Sequence, residues 1–236
     1  MHSNLSETQI LSVVVPCYNE EATLEQLITK VLQQELVGEL ILVDDGSSDS
    51  SAAIARSIGD SRIVIKCKEK NEGKGSAIRD GFQLASLPFV VIQDADLEYD
   101  PKEYAKLLKP LIEGNADVVF GSRFLSSGER RAVYFWHRVG NSFLTLLSNM
   151  FTNIDLTDME TCYKAMKTSI AKQLVIKEQR FGLEPEMTAR LARMRLRIYE
   201  VPISYYGRTY EEGKKITWKD GFSALRCIVK YNLSRK

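Results

Sequence analysis

Two aspartates one residue apart, Asp94 and Asp96, follow the apolar run Phe89 to Ile92. In extended backbone such side chains point the same way and can share one cation across the intervening Ala95. Hard carboxylate oxygens suit Mg²⁺ or Mn²⁺, which keep several waters and bridge substrate phosphates. Glu98 stands two residues on as a third metal-ligand candidate. The plainer reading is a pair of solvated acids or a helix cap. Asp100-Pro101-Lys102-Glu103 already supplies the cap, however, with an N-cap acid, a first-turn proline and a capping-box glutamate in order.

Two further polar loops follow apolar runs. Asp44-Asp45-Gly46-Ser47-Ser48-Asp49 leads from a buried run into a helical pattern, which suits carboxylate and amide recognition of a base or ribose. It also reads as an ordinary strand-to-helix turn with Ser48 or Asp49 as N-cap. Pro16-Cys17-Tyr18-Asn19-Glu20 is either a turn or a nucleoside contact in which Tyr18 offers a stacking face. Asn71-Glu72-Gly73-Lys74-Gly75 resembles a phosphate loop without the GxxxxGK[ST] spacing, so a P-loop is excluded. No GxGxxG follows the first apolar run, which disfavours a Rossmann dehydrogenase.

These loops need a scaffold that brings them together. Short β-branched runs at Ile10 to Val15, Leu40 to Val43, Ile63 to Ile65, Phe89 to Ile92 and Val118 to Phe120 alternate with helix-period segments. That alternation predicts an α/β fold, a mostly parallel sheet covered by helices on both faces, with a Rossmann-like N-terminal half. Ligands of such sheets lie beyond the carboxyl ends of strands, where all three polar loops fall. The second half is less regular: a helix over about Val133 to Phe151, a strand near Cys162 to Met166, a helix around Glu184 to Arg193 and a strand over Ile198 to Ile203. The tail puts Trp218, Phe222, Leu225 and Val229 on one helical face. One domain is expected, with a polar extension over 1–9, a nucleotide-binding half over 10–125, a less regular half over 126–217 and an amphipathic helix over 218–236.

Composition narrows the classes. With 236 residues, 44% hydrophobic and 27% charged, neither disorder nor a polytopic membrane protein fits, and a net charge of +1 argues against a bulk-electrostatic nucleic-acid binder. Cys17, Cys67, Cys162 and Cys227 have no zinc-ligand spacing, and the polar start predicts a cytoplasmic chain with free thiols. The uncharged stretch Val139 to Ile154 falls short of the ~20 apolar residues a membrane span needs.

Taken together, Val14-Val15-Pro16-Cys17-Tyr18-Asn19-Glu20, Val43 to Asp49, Asn71 to Gly75, Gln93-Asp94-Ala95-Asp96-Leu97 and Gly121-Ser122-Arg123-Phe124 resemble family 2 glycosyltransferases of the GT-A fold, particularly dolichyl- and polyprenyl-phosphate sugar synthases. The resemblance implies a UDP- or GDP-hexose donor contacted by Pro16, Tyr18, Glu20, Val43 and Asp45, with Lys74 and Ala95 in the same pocket. It implies Mg²⁺ or Mn²⁺ flanked by Asp94 and Asp96, with Glu98 where relatives often carry Gln. Arg123 matches an arginine near the donor phosphates or acceptor. Arg208 with Lys214 or Lys215 matches a basic loop that closes over phosphates. Inversion at the anomeric carbon follows from the same resemblance.

The resemblance also implies a polyprenyl-phosphate acceptor met at the cytoplasmic face of a membrane, directly or through a separate membrane subunit. The alternatives are a sugar-hydroxyl acceptor and a non-catalytic nucleotide-sugar-binding module. A hydroxyl acceptor needs a general base, and Asp158 and Glu160 lie where hydroxyl-glycosylating relatives place one. Either residue serves as that base, or both anchor the acceptor loop. Arg130, Arg131 and Arg138 around the apolar run Phe143 to Phe151 fit a peripheral membrane helix, a solvated loop or a buried core helix. Trp136 and Trp218 read as packing residues.

Overall fold

The computed structural model describes residues 8–125, 131–132, 134–180, 182–208 and 218–233. Seven strands, β1 (Leu11–Cys17), β2 (Val37–Asp44), β3 (Ile63–Cys67), β4 (Phe89–Ile92), β5 (Val118–Ser122), β6 (Lys164–Lys167) and β7 (Ile198–Pro202), form one sheet in the order β3-β2-β1-β4-β6-β5-β7. β1 pairs in parallel with β2 and β4, β2 with β3, and β5 with β7; β6 alone runs antiparallel, between β4 and β5. Consecutive residues of β1, β2 and β5 are buried, so both sheet faces are covered. The helices are α1 (Leu24–Leu32), α2 (Ser51–Ser57), α3 (Lys74–Leu84), α4 (Tyr104–Ile112), α5 (Phe135–Thr152), α6 (Thr168–Ala171), α7 (Leu183–Arg193) and α8 (Trp218–Leu233). One core cluster runs from Leu11 to Ile228.

The reversed β6 has a functional consequence. Because β6 runs opposite to its neighbours, Lys164 at its start lies beside Phe120 near the end of β5. The segment 158–163 that feeds β6 therefore reaches the same rim as the loops after β1, β2 and β4. β7 ends at that rim too, and an isolated bridge between Tyr99 and Tyr205 ties its exit to the loop after β4.

Two expectations change. Glu103 does not close a capping box. Asp100 accepts the Lys102 N–H at 3.0 Å, but Pro101–Glu103 is a 3-10 turn and buried Glu103 accepts from Ser204 Oγ at 2.8 Å. Trp136 is not a packing residue: 79% of it is exposed. On α8 the buried side chains are Ala224, Cys227, Ile228 and Tyr231, and Phe222 and Val229 face outward. Packing of α8 on α5 and α7, with Cys227 and Tyr231 clustered on Ala189, decides which side is hidden. The side chain of Trp218 and residues 130, 214 and 215 lie outside what is described.

Candidate active site

The first two loops lock together. Asp45 N–H donates to the Cys17 carbonyl at 2.8 Å, Asn19 N–H to Ser47 Oγ at 3.0 Å and Ser48 N–H to Asn19 Oδ1 at 2.9 Å. Asn19 adopts φ 54, a left-handed conformation Asn tolerates. Beside this frame Tyr18 is 44% exposed, leaving a ring face open for stacking. Pro16 and Glu20 are half-buried. Val43 is fully buried in the sheet, so only its backbone can meet a ligand. Asp45 is also buried, with Oδ2 accepting the Gly73 N–H at 2.6 Å and Lys68 Nζ 3.3 Å from Oδ1. It thereby holds the 71–75 loop in place.

The loop after β4 is pinned from below. Buried Gln93 accepts from Tyr104 at 2.6 Å and Tyr163 at 2.5 Å and donates to the Asp94 carbonyl at 3.0 Å. The Ala95 carbonyl accepts from Thr23 Oγ1 at 2.7 Å, and Leu97 turns through φ 63. Asp94 and Asp96 therefore lie beyond the end of β4, Asp96 in a turn, and each carboxylate holds its own cation. Lys74 Nζ is 2.8 Å from Asp94 Oδ1 and 3.5 Å from Glu184 Oε1; Arg208 Nη2 is 2.9 Å from Asp96 Oδ2. Burial, then the charges of Asp94 and Glu98, push the Asp96 carboxyl up to about 7 against the pull of Arg208. Burial works against a charged Lys74, yet Asp94 and Glu184 hold it well above the usual lysine range.

Two carboxylates one residue apart fit a divalent ion that completes its shell with phosphate and water. Glu98 is likewise already partnered: Tyr205 donates to its Oε2 at 2.7 Å, and Arg208 N and Nε reach its Oε1 at 2.9 and 3.2 Å. Among the described residues no group of three His, Cys, Asp or Glu side chains is placed to hold a metal.

Asp158 and Glu160 separate. Asp158 is fully buried and takes Arg123 Nε at 2.6 Å on Oδ2, Arg123 Nη2 at 2.7 Å and Asn141 Nδ2 at 3.2 Å on Oδ1. It anchors Arg123, whose guanidinium also lies 5.1 Å from the Tyr205 ring, and it is closed to an acceptor proton. Glu160 is half-buried, and its Oε1 is buried without a hydrogen bond from the protein. Burial and then Glu184 raise its carboxyl to about 8, against Lys164 and Arg123. Lys164, unmarked by any motif, lies buried and donates to the Met159 and Thr161 carbonyls on either side of Glu160. Glu184 was equally hidden in the sequence, where only its place at the start of a predicted helix hinted at the rim. The arrangement offers a diphosphate two carboxylates for a metal and two basic side chains.

The family model described as glycosyl transferase family 2 matches residues 12–175. The chain belongs to glycosyltransferase family 2. An uncharacterized protein of Methanocaldococcus jannaschii is 30% identical over 223 residues, covering 92% of this chain and 90% of that one. An undecaprenyl-phosphate 4-deoxy-4-formamido-L-arabinose transferase of Edwardsiella ictaluri is also 30% identical, over 219 residues and 90% of this chain; this chain spans only 65% of that transferase. The crystal structure of glucosyl-3-phosphoglycerate synthase from Mycobacterium tuberculosis with Mn²⁺, UDP and phosphoglyceric acid superposes with a TM-score of 0.73 at 21% identity, covering 97% of this chain and 80% of that one. At that identity the likeness speaks for the fold, GT-A. This family 2 glycosyltransferase thus carries its candidate site at the carboxyl ends of the strands, where open α/β sheets hold their ligands.

Proposed function

We infer that this glycosyltransferase moves a hexose from a UDP- or GDP-sugar to a polyprenyl phosphate, with Mg²⁺ or Mn²⁺ held by Asp94 and Asp96. The carrying observation is the state of the two candidate bases near neutral pH: Asp158 is sealed by Arg123 and Asn141, and burial and then Glu184 push the Glu160 carboxyl up towards its neutral form. A lipid phosphate is already ionised there and needs no base, whereas a sugar hydroxyl does. The undecaprenyl-phosphate transferase relative supports the same acceptor class, and the fold neighbour solved with Mn²⁺ and UDP supports a metal-assisted nucleotide-sugar donor.

In this reading Tyr18 stacks on the base, and the backbone of Val43 with the Asp45-anchored loop frames the nucleoside. Asp94 and Asp96 would hold the divalent ion, which when bound would supply positive charge against that developing on the diphosphate, and Lys74 and Arg208 add positive charge beside it. A phosphate oxygen of the acceptor attacks the anomeric carbon. The bond from that carbon to the diphosphate oxygen breaks, and its electron pair leaves with the nucleoside diphosphate. One such displacement inverts the centre.

The lipid is met at a membrane surface. No helix among the described residues is long and apolar enough to cross a bilayer, yet Phe135, Val139, Phe143, Leu146 and Met150 form one exposed stripe on α5. Arg131 and Arg138 near its start favour an anionic, cytoplasmic-facing leaflet. The test incubates labelled UDP- and GDP-hexoses with undecaprenyl or dolichyl phosphate and Mn²⁺ or Mg²⁺. Label is expected in mild-acid-labile lipid; label only in aqueous polysaccharide overturns the acceptor.

A further inference from the structure

Both carboxylates assigned to the metal are already paired with cations borne by other elements. Lys74 is the first residue of α3 and has a second partner in Glu184, so it keeps a counter-ion when Asp94 turns to another ligand. Arg208 bridges Asp96 and Glu98. Its backbone is fixed independently: its own N–H donates to Glu98 Oε1, and Tyr206 N–H donates to the Glu98 carbonyl at 2.9 Å. The guanidinium can therefore leave Asp96 while the chain that carries it stays put.

A divalent ion approaching Asp96 meets this guanidinium as a like charge on the oxygen it needs. A nucleoside diphosphate brings phosphate oxygens that a planar guanidinium binds in bidentate fashion. Resting on the metal reading above, we propose that Arg208 is a resident counter-ion that the metal displaces from Asp96 and the diphosphate then accepts. Metal alone must evict the guanidinium from Asp96 and leave it only the Glu98 contact it already has, so it binds weakly. Metal with nucleotide binds tightly, because the displaced guanidinium gains a phosphate. The coupling is reciprocal: nucleotide strengthens metal binding by the factor by which metal strengthens nucleotide binding.

The experiment follows free Mn²⁺ by electron paramagnetic resonance during titration of the full chain, alone and with UDP or GDP. The wild type is expected to bind Mn²⁺ about tenfold or more tightly with its nucleotide than without. Arg208→Gln is expected to tighten nucleotide-free Mn²⁺ binding by about fivefold or more and to shrink the coupling factor, with Arg208→Lys between the two. A nucleotide-free Mn²⁺ affinity that is unchanged or weaker in Arg208→Gln, with nucleotide-dependent binding intact in the wild type, overturns the counter-ion role and leaves the metal reading standing. Failure of the wild type to bind Mn²⁺ with either nucleotide removes the metal reading, and the exchange with it.

Discussion

Asp158 and Glu160 are separated by one residue and end in opposite environments. Asp158 closes a bidentate pair with buried Arg123, so Asp158→Asn strands a guanidinium in the core and should cost ~3–5 kcal/mol, read by chemical denaturation. A loss under about 1 kcal/mol would show that the pair does not anchor this loop. Glu160 makes the opposite prediction. Its carboxyl is raised from 4.5 to about 8, so the folded chain holds a proton that the unfolded chain has released, and stability falls as pH rises across that window. Glu160→Gln removes this term. The melting-temperature gap in favour of the variant should widen from about pH 6 to about pH 9, and parallel melting curves across that range would refute the raised carboxyl.

At the scale of elements, the start of α3 is set by segment 176–180. A methyl group on Gly75 would lie 1.9 Å from the Glu178 carbonyl oxygen, and Gly75 N–H donates to the Gln179 carbonyl at 3.1 Å. α8 grips that segment from the other side: Arg226 Nη2 lies 2.8 Å from Glu178 Oε2, and Lys230 Nζ and Tyr231 OH each lie 2.8 Å from Oε1. Although burial opposes it, these donors hold the Glu178 carboxyl down at about 2. Its contribution is present above the ordinary glutamate range and is lost as pH falls towards 2. Gly75→Ala should push segment 176–180 away, shift Lys74 from Asp94 and weaken nucleotide binding about tenfold in calorimetric titration. Glu178→Gln should speed amide exchange across 218–233 while leaving β1 and β4 protected. Unchanged exchange in α8 would mean that Glu178 does not hold it.

Across the whole molecule the charges nearly balance, and the unusual surface is apolar. Trp136, Met150 and Phe135 are 79, 72 and 69% exposed on one helix, and Phe222 and Leu233 add to the outward face of α8, which packs beside it. Isolated exposed apolar residues are ordinary, but a stripe four turns long marks a binding face. Trp136→Ser with Phe143→Ser should leave the melting temperature nearly unchanged and lower partition onto anionic vesicles by about tenfold or more, measured by sedimentation. Undiminished vesicle binding by the double variant would discard α5 as the membrane face. Dimerisation of the wild type that this variant abolishes would assign the face to a second copy instead.

Local patterns made much of this legible. Period-two and period-3.6 repeats reflect which face of a segment is hidden, so the N-terminal strands and α7 fell within a few residues of their observed bounds. The polar loops after apolar runs located the rim, and Asp94 and Asp96 stood out because acids at the end of a buried strand have few structural uses there. What no local pattern carries is the partner of a charged group. Arg208 meets Asp96 across 112 residues and Lys74 meets Glu184 across 110. Only the antiparallel insertion of β6 and the return of β7 to the same rim bring those segments together. The same topology sealed Asp158 and left Glu160 half-buried with one oxygen without a hydrogen bond, a distinction that two acids with one methionine between them do not encode. Burial of a side chain is set by everything packed around it, and for α5 that packing turned out to hide the less apolar side.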